Sequence, residues 1–242
     1  IYILFKLLLL IINFFLKIEP FASWYFPIIW MGYILTIDAL VYKLRRNSLI
    51  SNRFYRFLGM FIFSSLFWWI FEFVNLPVQN WKYTGLENLG KYVNLFGALS
   101  FATVLPSLFE TVELIRSIHI FDNKKLKMKL KISKAFLHSM MFIGIIFFIS
   151  PLIFPRYAFP LVWLSFFFIL DPINYIHNQP SILGHLKKGR LAIPSSLLLA
   201  GIILGFLWEF WNYYAVTKWT YDIPFVGFFK IFEMPVIGYL GY

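Results

Sequence analysis

The 242-residue chain has no cysteine, which excludes disulfides, thiolate metal sites and cysteine nucleophiles. Its four histidines, His119, His138, His177 and His185, are scattered without ligand spacing, so neither a metal, a haem nor any other cofactor is expected. A glycine-rich phosphate loop, a G-x-S-x-G elbow and a Ser/His/Asp set are all missing, and with them the usual signs of phosphate binding and hydrolysis. Charge is scarce: 14% of residues are charged, against 60% hydrophobic and 22% aromatic. Soluble domains carry about a quarter charged residues. That deficit, with a strongly positive mean hydropathy, indicates a polytopic membrane protein. The net charge of +11 would fit nucleic acid only if the cations formed a solvated face. They sit instead in short loops between apolar runs, and no nucleic-acid partner is expected.

Crossing the hydrocarbon core takes about 20 apolar residues. About eight segments qualify, at roughly 1–16, 21–42, 57–76, 92–115, 135–154, 158–176, 191–214 and 225–242. The chain begins at Ile1 in an apolar run, so a processed or incomplete end is expected. Because that run has a later counterpart, it is expected as a first membrane helix and not as a cleavable signal. Pro106, Pro172, Pro194 and Pro235 are expected to kink or begin helices. Basic residues cluster in alternate connections: Arg45, Arg46 and Arg53, then Arg116 with Lys124, Lys125 and Lys127, then Lys187, Lys188 and Arg190. The positive-inside bias therefore predicts both termini in the cytoplasm.

Two stretches share one frame. Glu72 and Asn75 in FEFVNLPVQNWKY match Glu209 and Asn212 in WEFWNYYAVTKWTY as E-F-x-N, and Trp81 and Tyr83 match Trp219 and Tyr221 as W-x-Y. Upstream, Phe26, Pro27, Trp30, Asp38, Tyr42 and Ser48 recur as Phe159, Pro160, Trp163, Asp171, Tyr175 and Ser181. The expected fold is an all-α polytopic membrane protein of about eight transmembrane helices, a tandem parallel duplication of a four-helix unit. Its parts are a first repeat at 1–121, a basic cytoplasmic linker at 122–134 and a second repeat at 135–242. The linker reads as a solvated strap that at most touches anionic lipid.

An acid at membrane depth is costly unless protonated, paired or hydrated, so such acids are the strongest functional signal here. Asp38, Glu72, Glu110, Glu113, Asp171, Glu209 and Glu233 all fall in predicted helices. Asp38 and Asp171 lie near inner helix ends, where a carboxylate reaching loop Arg or Lys is expected. Glu110 and Glu113 stand near Arg116, which is expected to pair with them. Glu72 and Glu209 lie about a turn below the outer boundary, with Asn75 and Asn212 on the same faces. These pairs read either as interhelical hydrogen-bonding contacts or as a site. Glu233 is expected about two turns deep in the eighth helix, beside the break at Pro235.

Trp81, Tyr83, Trp219 and Tyr221 fall where an interfacial aromatic belt is expected. Trp68, Trp69, Trp208 and Trp211 flank the glutamates, where tryptophan faces suit a flat apolar ligand or a cationic intermediate. The candidate acids are thus Glu209, Glu72 and Glu233, with Asn75, Asn212, Trp69, Trp208, Trp211 and Tyr221 as candidate ligand contacts.

The frame of tandem units, an inner aspartate, a tryptophan–carboxylate pair (Trp208-Glu209, Trp69 near Glu72) and an acid-proline element resembles the membrane-integral lycopene cyclase domain family of bacteria and archaea. The chain also resembles a group of bacterial integral membrane proteins with WEFWN, FEMP and LGY segments, a likeness that covers nearly the whole chain and implies no activity. The cyclase resemblance implies a cofactor-free reaction in which a buried carboxylic acid protonates a polyene and the cation closes a ring. In it Glu209 takes the place of the carboxylate after tryptophan, and Glu233 that of the acid-proline element. The family pattern has an acid pair after proline, whereas FEMP places one acid before it, and Trp208 is followed by Glu and not Asp. The resemblances imply a multi-pass protein of the bacterial inner membrane. Two main functions are open: binding of, or action on, an isoprenoid or carotenoid among membrane lipids, and a non-catalytic role as a subunit beside protein partners in a membrane complex. Parallel repeats also occur in proton-coupled transporters.

Overall fold

The computed structural model describes residues 12–13, 16–127 and 131–241. Helix α1 spans Tyr25–Arg45 and α2 spans Leu49–Val78. Strand β1, Trp81–Thr84, leads into a 3-10 segment at Leu86–Tyr92 and then α3, Val93–Ala102, and α4, Val104–Ser117. Next come α5, Lys134–Ile153, the single turn α6, Pro155–Ala158, and α7, Leu161–Ile176. Helices α8, Ile182–Lys187, and α9, Ala192–Tyr214, precede β2, Lys218–Tyr221. The chain then forms a small hairpin of β3, Lys230–Ile231, and β4, Met234–Pro235, and a 3-10 segment at Val236–Gly241.

This is an all-α architecture of the membrane type. Among the described residues, Tyr25–Arg45, Leu49–Val78, Leu86–Ser117, Lys134–Ile153 and Ala192–Tyr214 are long and apolar enough to cross a bilayer, while Leu161–Ile176 is shorter. They match the second to seventh expected segments; the first, at 1–16, lies almost wholly outside the described residues. The eighth expectation is corrected. Residues 225–241 form the β3–β4 hairpin and a 3-10 turn, not a transmembrane helix. Left-handed backbone at Phe225, Phe229 and Phe232 breaks any helix there, and Pro235 lacks the N–H a helix interior needs.

Helix α4 is the hub, packing on α1, α2 and α9. The break between α3 and α4 is held from α2. Ser64 is buried, donates its hydroxyl to Phe101 O at 2.6 Å and accepts from Leu105 N at 3.1 Å, satisfying backbone groups that the break leaves open. Helices α5 and α7 meet at Gly144, where a Cβ would come within 2.7 Å of Ile169 Cγ1. In contrast, only 22% of the apolar window of α2, and the same share of α5, is buried. Outward residues such as Phe63, Leu66, Phe73 and Phe142 leave a broad apolar surface that suits lipid or a partner.

Asp38, Asp171 and Glu113 have different partners from those expected. Asp38 accepts from Ile50 N at 2.7 Å, Ser48 Oγ at 2.9 Å and Ser51 Oγ at 3.2 Å. Asp171 accepts from Ile182 N at 2.6 Å and Leu183 N at 2.9 Å. Each aspartate thus caps the first turn of the following helix, where free N–H groups and the helix dipole favour an anion, instead of reaching loop cations. Glu113 is paired by Arg53 Nη2, at 2.7 and 2.8 Å, and not by Arg116. Glu110 is fully buried beside Asp38. The linker is tied down where it is described: Lys125 bridges Arg190, and Leu126 N donates to Gly189 O at 3.0 Å.

Candidate functional site

Both W-x-Y loops are shaped by the asparagine that ends the preceding helix. Asn75 Nδ2 donates to Trp81 O at 2.9 Å, and its Oδ1 accepts from Asn80 N at 2.9 Å. Asn212 Nδ2 donates to Trp219 O at 2.9 Å, and its Oδ1 accepts from Trp219 N at 2.9 Å. A side-chain amide bonded in this way mimics a backbone partner and bends the chain back over its own helix. The loops, so aimed, pair with each other. β1 and β2 form an antiparallel ladder with Trp81 opposite Tyr221 and Tyr83 opposite Trp219.

The ladder brings the polar ends of these aromatics down onto the glutamates. Glu72 Oε1 accepts from Trp81 Nε1 at 3.1 Å and from the Tyr83 hydroxyl at 2.5 Å. Glu209 Oε1 accepts from the Tyr221 hydroxyl at 2.7 Å, and Tyr221 in turn accepts from Trp219 Nε1 at 2.6 Å. The residue types correspond, but the wiring differs: two direct donors on Glu72, a relay on Glu209. Burial, with Glu72 alongside, holds the Tyr83 phenol well above the usual tyrosine range, so it remains a donor. These rings therefore serve as hydrogen-bond donors to the two glutamates, a role the belt expectation does not include.

Beside the ladder, whose residues line it, lies a cavity of about 900 Å³ walled by α2, α3, α4, α7, α9 and the 223–241 segment. Its wall is mostly apolar and rich in aromatic rings. Trp68 packs on Trp208 at 5.7 Å, Trp69 stands edge-on to Phe101 at 5.3 Å, and Phe71 stacks on Trp163 at 4.9 Å. Glu72 is the carboxylate that lines it, and Lys218 the ammonium. Glu72 is only partly buried, and Oε2, the oxygen its two donors leave free, keeps accessible surface. Lys218 is already engaged, donating to Glu233 Oε1 at 3.0 Å and lying 5.2 Å over the Tyr213 ring.

The expected site residues divide accordingly. Glu72, Trp69, Trp208 and Tyr221 line the cavity. Glu209 is completely buried behind it, beside Tyr239, whose phenol is pushed up to about 12 by burial and by the Glu209 charge. Asn75 and Asn212 direct their amides at the loop backbone. Trp211 belongs to the core, packed edge-on against Trp30 at 4.7 Å. Glu233 does not lie within a helix: it sits at the β3–β4 turn, ion-paired with Lys218. Asn80 is absent from the sequence-based candidates. It lines the cavity, it is 6% exposed, and among the described residues its side-chain amide has no hydrogen-bond partner. Its signal in the sequence is an asymmetry, since the residue before the W-x-Y tryptophan is Asn80 in one stretch and Lys218 in the other.

Comparison of the chain with protein-family models, curated proteins and solved structures gives no match.

Proposed function

We propose that this chain is a multi-pass protein of the bacterial inner membrane that binds, or acts on, an isoprenoid- or carotenoid-like lipid in the cavity beside the β1–β2 ladder. The observation that carries this reading is the combination of a cavity of about 900 Å³, walls rich in aromatic rings and one carboxylate with a free oxygen. Such a volume lies in the upper part of the range typical of small-molecule sites, and apolar walls with few polar groups suit a lipid-like molecule. The chemistry implied by the cyclase resemblance is proton transfer from a carboxylic acid to a double bond, ring closure by the next double bond and loss of a neighbouring proton. Of the candidate acids, Glu72 is the one that lines the cavity, which supports it as the proton donor of that step. Tryptophan faces at Trp68, Trp69 and Trp163 would stabilise the cation.

The same reading includes a tandem duplication with the basic connections on the cytoplasmic side. Matched pairs support it: Asp38 and Asp171 as remote helix caps, Asn75 and Asn212 as loop-bending amides, and the mirrored ladder itself. In this reading the tail after β2, a hairpin and a 3-10 turn, adds no further crossing.

The test is purification in mild detergent and mass spectrometry of the co-extracted lipids, alongside expression in lycopene-accumulating cells. An enriched isoprenoid, lost in Glu72→Gln with folding retained, is the expected result. Unchanged pigment removes the cyclase version, and no enriched lipid removes the binding version. The broad outward apolar faces of α2 and α5 favour the second reading, a subunit of a membrane complex. That reading predicts co-purifying proteins and a Glu72→Gln variant with unaltered lipid content.

A further inference from the structure

Within that lipid-site reading, the polar end of the cavity defines the ligand further. Among the described residues, the carboxylate and the amide of the wall that do not belong to exposed residues, those of Glu72 and Asn80, have hydrogen-bonding capacity to spare. Glu72 has both described donors on Oε1, leaving Oε2 free. Asn80 engages Asn75 and Asp222 only through its backbone, while its amide, on a residue 6% exposed, meets no partner among the described residues. Neither group is among the sealed unpartnered atoms of the fold, so each stays open to the cavity, and an apolar ligand that covered it would leave it unsatisfied. The open pair therefore marks where a ligand's own polar atoms belong. Both groups line the same cavity, and Asn80 immediately precedes Trp81, whose indole reaches Glu72 at 3.1 Å.

Most other polar side chains in the wall are already occupied, and Asn94 and Tyr157, which also line it, are exposed. Ser64 donates to Phe101 O, Ser100 to Phe96 O, Ser107 to Val104 O and Thr217 to Gly85 O. Lys218 is held by Glu233. A pure hydrocarbon would therefore bury Glu72 Oε2 and the Asn80 amide without partners.

We infer that the cavity holds an amphiphile with a single hydroxyl-type end group, its hydroxyl set between Glu72 Oε2 and the Asn80 amide and its apolar body along the tryptophan wall. A hydroxyl satisfies this pair whatever the protonation of Glu72: it donates to the carboxylate or accepts from the carboxylic acid, while the amide offers the complementary donor or acceptor. The class is a long-chain isoprenoid-like alcohol.

The experiment uses the full chain in nanodiscs, with tryptophan fluorescence following titration by geranylgeraniol, by its methyl ether and by lycopene. Geranylgeraniol is expected to bind about tenfold or more tightly than the ether, as for loss of a hydrogen bond that leaves a buried group open. Asn80→Ala is expected to abolish that preference while keeping the ether's affinity. Because the Asn80 side chain makes no bond within the fold, this variant keeps its unfolding temperature, and Glu72→Gln serves as a second, shape-conserving variant. Equal affinity of alcohol and ether for the wild type, or a preference that survives Asn80→Ala, overturns the end-group assignment and leaves the lipid cavity standing. If none of the three compounds binds, the lipid-site reading itself fails, and the end-group assignment with it.

Discussion

Trp81 stands opposite Tyr221 across the β1–β2 ladder, so that a tryptophan of one loop is in register with a tyrosine of the other. Four residue pairs make up that ladder, from Trp81↔Tyr221 to Thr84↔Lys218. Each strand is anchored to its own helix by an asparagine, and each delivers aromatic donors to its own glutamate. Helix ends, loops and acids thus form one hydrogen-bonded unit, and its parts can be tested separately.

The asparagines differ in burial, and their substitution should differ in effect. Asn212 is completely sealed, so Asn212→Ala leaves Trp219 N and O without partners and is expected to lower stability by about 2–3 kcal/mol. Asn75 is only partly buried, and Asn75→Ala should lower it by about 1 kcal/mol. Denaturant unfolding in detergent measures both; an equal loss would contradict the burial argument.

Gly85 is the hinge after β1. It has φ of 73°, and a Cβ there would meet Val216 O at 2.4 Å. Gly85→Ala therefore combines left-handed strain with a backbone clash and should lower stability by about 2 kcal/mol or more. Amide exchange should rise first at Lys82 and Thr220, which face each other in the ladder. Exchange unchanged at those two positions would show that the loop accommodates the methyl group.

Removing the remote caps should loosen the helices that follow them. Asp171→Asn replaces a charged acceptor of Ile182 N and Leu183 N and is expected to lower stability by about 1–2 kcal/mol. Asp38→Asn should do the same at Ile50 N. The specific readout is amide exchange at Ile182, Leu183 and Ile50, faster in the matching variant only.

The two repeated glutamates should separate into different phenotypes. Glu209 is completely buried, and its Oε1 is bound by Tyr221, so Glu209→Gln should act on stability and leave the ligand affinity of the folded fraction unchanged. Glu72 faces the cavity, so Glu72→Gln should alter ligand affinity while shifting the unfolding temperature little. The opposite pattern would move the site to Glu209.

Much of this was legible in the sequence, because apolar runs and a repeated polar frame survive folding directly. Six of the expected segments became helices, and the four residues of the two W-x-Y motifs became partners in one ladder. The tail was misread because apolar composition does not distinguish a residue facing lipid from one facing a cavity: Met234, Ile237 and Leu240 line the cavity. Proline and glycine at Pro224, Gly227, Pro235 and Gly238 mark the same stretch as irregular. The caps made by Asp38 and Asp171 were hidden for another reason. They depend on a turn that brings a side chain back to N–H groups more than ten residues away, and spacing along one helix carries no trace of it. Asn80 was overlooked because a repeat highlights what recurs, whereas the site includes a residue with no counterpart.

Along α9 the chain is tied to its surroundings at both ends. Beyond Tyr214 it enters the ladder, and before Ala192 the Lys125–Arg190 bridge joins it to the segment that follows α4. Twenty-three helical residues separate these ties, a span of about 35 Å. Any rigid swing of α9 against α2 and α4 must therefore part backbone hydrogen bonds at one end or the other, each worth about 1 kcal/mol. The rocking by which alternating-access carriers expose a central site is mechanically opposed here. The 223–241 segment has its β3–β4 pairing within itself. It meets α9 and β2 through the Lys218–Glu233 contact and the packing of Phe232 on Phe206, Phe210 and Tyr213, so among the walls of the cavity it is joined chiefly by side chains and not by a backbone ladder.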